Sequence, residues 1–164
     1  MSNRIFFAVC LVISLGHMIW AAGQVPDTLA THFGAGGQPD DWASRTGFLI
    51  TYFVLTVVMV VIFAGLPLLM RRLPPSSFSL PNRDYWMTPL RREGTLKRLT
   101  SQLLTLGGAT LLFDSAIMHL VVMANRLEEP RLHAVWFWGV FIAYLAGVGI
   151  WTAWIIRAYR VPKA

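Results

Sequence analysis

The sequence predicts an all-α integral membrane protein, a four-helix transmembrane bundle with both termini cytoplasmic and an extracytoplasmic capping loop between the first and second helices. Three observations carry that expectation. Hydrophobic residues fill 55% of the 164 positions and charged residues only 13%, a balance far from that of a water-soluble domain. Four apolar runs, 5–22, 47–70, 102–124 and 134–156, are each long enough to cross ~30 Å of hydrocarbon at ~1.5 Å per helical residue. The basic residues are one-sided: eleven of the 14 Lys and Arg lie before the first run, in the 71–101 loop or after the fourth run, and only Arg45, Arg126 and Arg131 lie opposite. That asymmetry places the 71–101 loop and both chain ends inside and the 23–46 loop outside.

The first run follows Arg4 and ends in the small residues Ala21, Ala22 and Gly23, the outline of a cleaved signal peptide. His17 within the run, Trp20 at its end and the lack of an A-x-A site favour a retained span instead. Cys10 stands alone in this run, so it supports neither a disulfide framework nor a metal cluster and reads as a packing thiol. The second run, 47–70, carries no charge at all and is the plainest spanning helix of the four.

In the 71–101 loop, Pro74, Pro75 and Pro81 keep the first half extended. Thr88 and Pro89 then suit the N-cap and first position of a basic amphipathic helix with Leu90, Leu96 and Leu99 on its apolar side, weakened by Gly94. We expect this helix to lie on the inner membrane surface and to enter the third run through a bend near Thr100. Membrane lipids are the expected partners of its arginines, which accounts for the net charge of +6 without nucleic acid.

The third run carries Gly107 and Gly108, which remove bulk on its inner half, and the polar residues Asp114, Ser115 and His119. A charged carboxylate in a bilayer must be protonated, paired or turned to water within the bundle. Counted from the inner ends of their runs, His17 and Asp114 both lie ~18 Å along, which allows a hydrogen bond between them, and His119 lies ~7 Å further out. Ser115 and His119 share one helix face, and Thr110 and Asp114 another. These groups are expected mainly to hydrogen-bond between helices. A haem between His17 and His119 is disfavoured by their depths, and no cofactor is expected.

The fourth run opens on Trp136 and Trp138 and ends near Trp151 and Trp154, the pattern of interfacial belts that Trp20 also fits. Gly139, Ala143 and Gly147 recur every fourth residue, a small-residue row that admits a neighbouring helix. No internal repeat is visible, which lowers the case for an inverted-repeat transporter.

The outer loop contains THFGAGGQPDDW, 31–42, where a greasy chain turns abruptly to glycine, proline and aspartate. Thr31, His32 and Phe33 suit an extended arm, and Gly34, Gly36 and Gly37 permit the positive φ of a tight reversal. Asp40 or Asp41 is placed to cap the second helix, while Phe33 and Trp42 pin the two arms. His32, Phe33, Pro39, Asp40 and Trp42 are the candidate binding residues. Asp27, His32, Asp40 and Asp41 offer cation ligands, but oxygen-rich turns usually bond to their own backbone, so no metal is expected.

The segment VPDTLATHFGAGGQPDDWASR resembles the signature of a bacterial membrane domain family of unknown function: a Leu- or Val-Pro start, a THF or HF triplet, G-x-P-D-x-W, then a small residue before Lys or Arg. The matching positions are Val25, Pro26, Thr31, His32, Phe33, Gly37, Pro39, Asp40, Trp42, Ser44 and Arg45, and Ala30 departs from the proline expected before the triplet. The same domain is similar to the N-terminal part of the bacterial membrane proteins that give immunity to the sporulation-delay toxin. Those proteins are longer, with more spans. The resemblance covers the first span, the loop and the start of the second, about a third of the chain. It implies a multi-pass protein of the bacterial cytoplasmic (inner) membrane whose outer loop is the shared element, with no catalytic residues attached.

No nucleophile elbow, phosphate loop, metal-ligand spacing or carboxylate pair supports an enzyme. Two classes of function remain. The first is a non-enzymatic accessory or binding subunit whose outer loop and small-residue face contact a membrane-protein partner or a second copy. The second is a small transporter or proton-coupled device using Asp114, His17 and His119. The single buried acid and the missing repeat favour the first.

Overall fold

The structure, a computed structural model, describes residues 2–161, so Lys163 lies outside the described residues. Helix α1 spans Ser2–Ala22 and leads through a turn into a two-stranded antiparallel hairpin, β1 Thr28–Phe33 and β2 Pro39–Ser44. Helix α2, Arg45–Val60, continues through a π-helical turn, Val61–Gly65, into α3, Leu66–Met70. A 3-10 turn at Pro75–Ser77 and the short α4, Arg83–Trp86, precede α5, Pro89–Ala124, and α6, Ala134–Ala158. Among the described residues four helices are long and apolar enough to cross a membrane, Asn3–Ala22, Arg45–Met70, Pro89–Ala124 and Ala134–Ala158. The chain is accordingly mostly helical and has the build of a multi-pass membrane protein.

Helix α5 differs from expectation at its start. It runs 36 residues without interruption, so the basic segment after Thr88 is the start of the long helix itself and no break separates the two at Thr100. Side chains of this extension are already engaged along their length: the Arg92 guanidinium donates to the Leu73 carbonyl at 2.7 Å, and the Thr95 hydroxyl to the Trp86 carbonyl at 2.9 Å. With those bonds the loop wraps the helix, and bending it away would break them. Leu90 stays 89% exposed.

The π turn also has a local cause. Pro67 lacks an N–H and its ring crowds the carbonyl four residues back, at Phe63, so a regular α-turn is disfavoured there and the wider turn relieves it. Phe63 then packs on α5 where Gly107 leaves space. A Cβ on Gly107 would lie 2.5 Å from the Phe63 Cβ, and one on Gly108 would lie 2.7 Å from Phe6 Cε1. The two glycines thus form a notch that receives α1 from one side and the π turn of the second span from the other. In lipid, where apolar contact with a tail is as good as with a neighbour, such close approach is one source of helix association, beside interhelical hydrogen bonds.

Helix α5 is the common spine. Helix α1 lies parallel along it, from Asn3 Nδ2, bonded to the Ser101 carbonyl and to Thr105 Oγ1, to Ala21 beside Val122. Helix α6 joins the other side of α5 through aromatics: Phe113 stacks on Tyr144 with centroids 4.1 Å apart, and Thr110 Oγ1 meets Tyr144 Oη at 2.8 Å. The Gly139, Ala143 and Gly147 row takes no part in this contact. All three are exposed, and a Cβ on Gly139 or Gly147 would meet no atom within 4 Å, so the row receives no helix of its own chain. Aromatic bulk rather than small residues sets the α5–α6 packing.

The C-terminal end of α6 is closed by the 71–88 connection. Asn82 Nδ2 and Trp86 Nε1 both donate to the Tyr159 carbonyl, at 3.0 and 2.8 Å, which satisfies a helix-terminal acceptor. Asn82 reaches it from the left-handed region, φ 53°, a conformation asparagine tolerates better than other side chains. Tyr159 Oη donates to Gln102 Oε1 at 3.1 Å, tying this end back to α5.

Candidate functional site

The outer hairpin is more regular than a loop of turns. Its strands pair from Thr28 with Ser44 to Phe33 with Pro39, with irregular register around His32. Of the glycines expected to turn it, Gly37 alone takes a positive φ, 75°, and the Leu132 amide donates to its carbonyl at 2.9 Å. A Cβ there would fall 2.2 Å from the Leu132 carbonyl oxygen, so this position requires glycine both for conformation and for space. The helix cap is Ser44, not Asp40 or Asp41: its hydroxyl accepts from the Gly47 amide at 3.1 Å. Asp41 accepts from the Trp42 amide instead, and Asp40 Oδ1 meets His32 Nδ1 at 2.5 Å.

What anchors the hairpin is a residue that sequence reading missed. Asn125, buried at the end of α5, accepts from the Ala30 amide at 2.7 Å and donates to the Ala30 carbonyl at 2.8 Å. Its side-chain amide thereby replaces one residue of a third strand. A third bond, donated by Asn125 Nδ2 to the Val121 carbonyl at 2.9 Å, holds the amide in place. The sequence signal is slight, an asparagine just past the last apolar residue of a span, a position that also suits an ordinary helix C-cap.

Between the hairpin, the C-terminal half of α5 and the start of α6 lies a cavity of about 240 Å³. Its walls include His32, Phe33, Ile117, Phe137 and Trp138, so two of the five candidate loop residues line it. Pro39 is half-buried opposite Phe33, while Asp40 and Trp42 are exposed on the hairpin. The loop candidates therefore divide between a cavity wall and an outward surface.

Below the hairpin the intramembrane polar residues form a connected chain. His119 Nδ1 and His17 Nε2 are 3.2 Å apart, and His17 Nδ1 and Tyr52 Oη are 3.1 Å apart. Tyr52 Oη and Ser115 Oγ follow at 2.9 Å, then Ser115 Oγ and Ser14 Oγ at 2.9 Å, and the Ser14 hydroxyl ends on the Leu111 carbonyl at 3.2 Å. Each hydroxyl carries one proton, so the chain has a direction. With Tyr52 donating to Ser115, His17 must donate through Nδ1 and accept at Nε2 from His119. Trp20 stacks on His119 with centroids 5.2 Å apart, so it covers the histidine pair as well as marking the membrane edge.

His17 thus takes Tyr52 and His119 as partners, and the hydrogen bond to Asp114 is not made. The depth difference assigned to the histidines disappears too. Counting from residue 102 misplaced the start of α5; counted from the outer ends, Ala22 and Ala124, both histidines lie five residues in. The division of α5 into two faces holds, with Ser115 and His119 toward α1 and Thr110 toward α6. Asp114 is half-buried, and its Oδ2 is enclosed with no hydrogen-bond partner. An unpaired polar atom in such surroundings is costly, and Asp114 shares that state with Gln102, whose Nε2 also lacks a partner.

Away from the hairpin the chain of hydrogen bonds stops at an apolar layer formed by Phe7, Cys10, Leu104 and Leu111. The arrangement can orient and share protons among five side chains on three helices.

Residues 9–60 match the model of a family described as a domain of unknown function, DUF1648. The matched stretch contains the hairpin, His17 and Tyr52, and stops short of Ser115, His119 and Asn125 on α5. An uncharacterized protein of Archaeoglobus fulgidus is 46% identical over 39 residues, which is 24% of this chain. The match takes in 21% of that relative's length, so the chain spans about a fifth of the curated relative it resembles. No solved structure matches the chain.

Proposed function

We propose that this protein is a non-enzymatic membrane subunit that binds another membrane protein or a second copy of itself. The observation that carries this reading is the row Gly139, Ala143 and Gly147, which faces away from its own bundle with open space around both glycines. No residue of α6 is buried within the chain, although the helix is 25 residues long. Small residues facing lipid gain little from it, whereas a second helix approaching them gains close backbone contact. The exposed His32 and Asp40 pair and Trp42 supply a second contact surface on the hairpin.

The basic residues support an orientation with the 71–88 connection in the cytoplasm and the hairpin outside, in the cytoplasmic membrane of a bacterium. The resemblance to the toxin-immunity proteins covers the first span, the hairpin and the start of the second span, and immunity itself is no part of this reading. Leucine substitutions at Gly139 and Gly147 test the binding role. The open space predicts a protein that folds normally and loses its partners when purified in mild detergent and analysed by mass spectrometry. A leucine variant that keeps every co-purifying subunit, and its own stoichiometry, would end this reading.

A proton-coupled transporter has one observation in its favour, the hydrogen-bonded chain from His119 to Ser14 beside the unpartnered Asp114 oxygen. Asp114→Asn separates the two readings because it keeps the shape and removes the titratable proton. Intact assembly and binding are expected of the subunit. A fully assembled variant that has lost proton-coupled transport would establish the alternative.

A further inference from the structure

We propose that the end of the bundle opposite the hairpin holds one anionic phospholipid between α1, α3 and α5. Arg4 of α1, Arg71 just past α3 and Lys97 of α5 line a single cavity of about 370 Å³ together with Thr100, Ser101 and Asn3. A second cavity of about 330 Å³ shares Arg4, Arg71, Thr100 and Leu104 with the first and continues along Phe7, Ala64, Pro67 and Leu68. The two make one groove with a cationic mouth and an apolar wall. A lipid phosphate matches the mouth and an acyl chain matches the wall, whereas a free anion would leave the wall empty.

The cations come from three separate elements, so the groove is a product of the fold and not of a local basic run. Among the described residues neither Arg4 nor Arg71 forms an ion pair, and the nearby acid that feels the Arg71 charge is Glu93. Lys97 pairs with Glu93 at 2.7 Å, but both side chains are mostly exposed, so the pair is weak and an anionic headgroup competes for the ammonium. Basic pockets between spanning helices at the headgroup level are a recurrent solution for acidic lipids. The π turn and Pro67 shape the wall here, which gives that irregular stretch of the second span a role beyond seating Phe63.

The test uses the whole protein in neutral detergent, titrated with dioleoylphosphatidylglycerol or dioleoylphosphatidylcholine and read by native mass spectrometry. We expect a one-to-one phosphatidylglycerol adduct and a much weaker phosphatidylcholine adduct. Arg4→Gln with Arg71→Gln should weaken the first by about thirtyfold, two basic contacts at the strength typical beside an anionic surface, and leave the second unchanged. The charge-matched pair Arg157→Gln with Arg160→Gln should leave both unchanged. Equal losses in the two double variants, equal binding of the two lipids, or full displacement by inorganic phosphate would each overturn the proposal. Should the first double variant fail to fold, Thr100→Glu places a carboxylate in the mouth with all three cations kept; undiminished phosphatidylglycerol binding by that variant overturns it equally.

Discussion

Replacing Tyr52 with phenylalanine isolates the chain of hydrogen bonds from the packing around it. Tyr52 is fully buried, and its hydroxyl joins α2 to both α1 and α5 through His17 and Ser115. The ring is retained in Tyr52→Phe, so no cavity forms and the packing on Phe48 survives. What is lost is two interhelical hydrogen bonds, each worth about 0.6 kcal/mol on average in membranes and at most about 1.7, which sets the cost at about 1–3 kcal/mol. Tyr52→Ala adds the cavity and should cost about 3–5 kcal/mol. The assay is reversible unfolding in mixed micelles with increasing dodecyl sulfate, followed by circular dichroism. Ser115→Ala combined with Tyr52→Phe should be less damaging than the sum of the two, because both remove the same bond. Additivity within about 0.3 kcal/mol would refute a shared bond, and a harmless Tyr52→Phe would refute the chain as a stabilising element.

Three further outcomes follow from the geometry. Gly107→Ala should destabilise the bundle by about 1–3 kcal/mol in the same assay, because the new methyl meets Phe63 at its stiff Cβ; Gly108→Ala meets the outer edge of the Phe6 ring and should cost less. Asn125→Ala should leave the buried Ala30 amide and carbonyl unpaired, at about 1–3 kcal/mol, and the Ala30 amide should exchange hydrogen faster while amides of α1 do not. Cysteines at Ala35 and Ser77, with Cys10 replaced, should report opposite sides of the membrane to an impermeant thiol reagent, Ala35 labelled on intact cells and Ser77 protected.

The spans were legible because a bilayer imposes a crude requirement, a long apolar run, and 47–70 could meet it in no other way. The glycine notch was partly legible: Gly107 and Gly108 announce missing bulk, but the occupants, Phe63 and Phe6, depend on the π turn at Pro67 and on the rotation of α1. The hairpin register was not legible, since its strands are held by Asn125, 95 residues away from Ala30, and no short-range pattern encodes that pairing. Tyr52 and Ser14 escaped notice for a related reason. A tyrosine or serine in an apolar helix reads as neutral until its partner's depth is known, and the depth of His119 was misjudged by taking α5 to begin at residue 102.

These placements divide the labour among the spans. Helices α1 and α2 meet α5 through the glycine notch, the hydrogen-bonded chain and the hairpin, so their positions are fixed by contacts at three depths. Helix α6 is fixed differently, by aromatic stacking of Tyr144 on Phe113 and by the Tyr159 clip at its C-terminal end. A helix held by an edge and an end keeps one whole face free, and the small residues of α6 lie on the face left over. Under the proposed binding role, anchoring α6 through bulky residues on one side would present the small row on the other. A binding subunit needs that division between a rigid three-helix body and a presented fourth helix. A transporter built on the histidine chain would instead need its mobile element against the polar groups, where this bundle is most tightly joined.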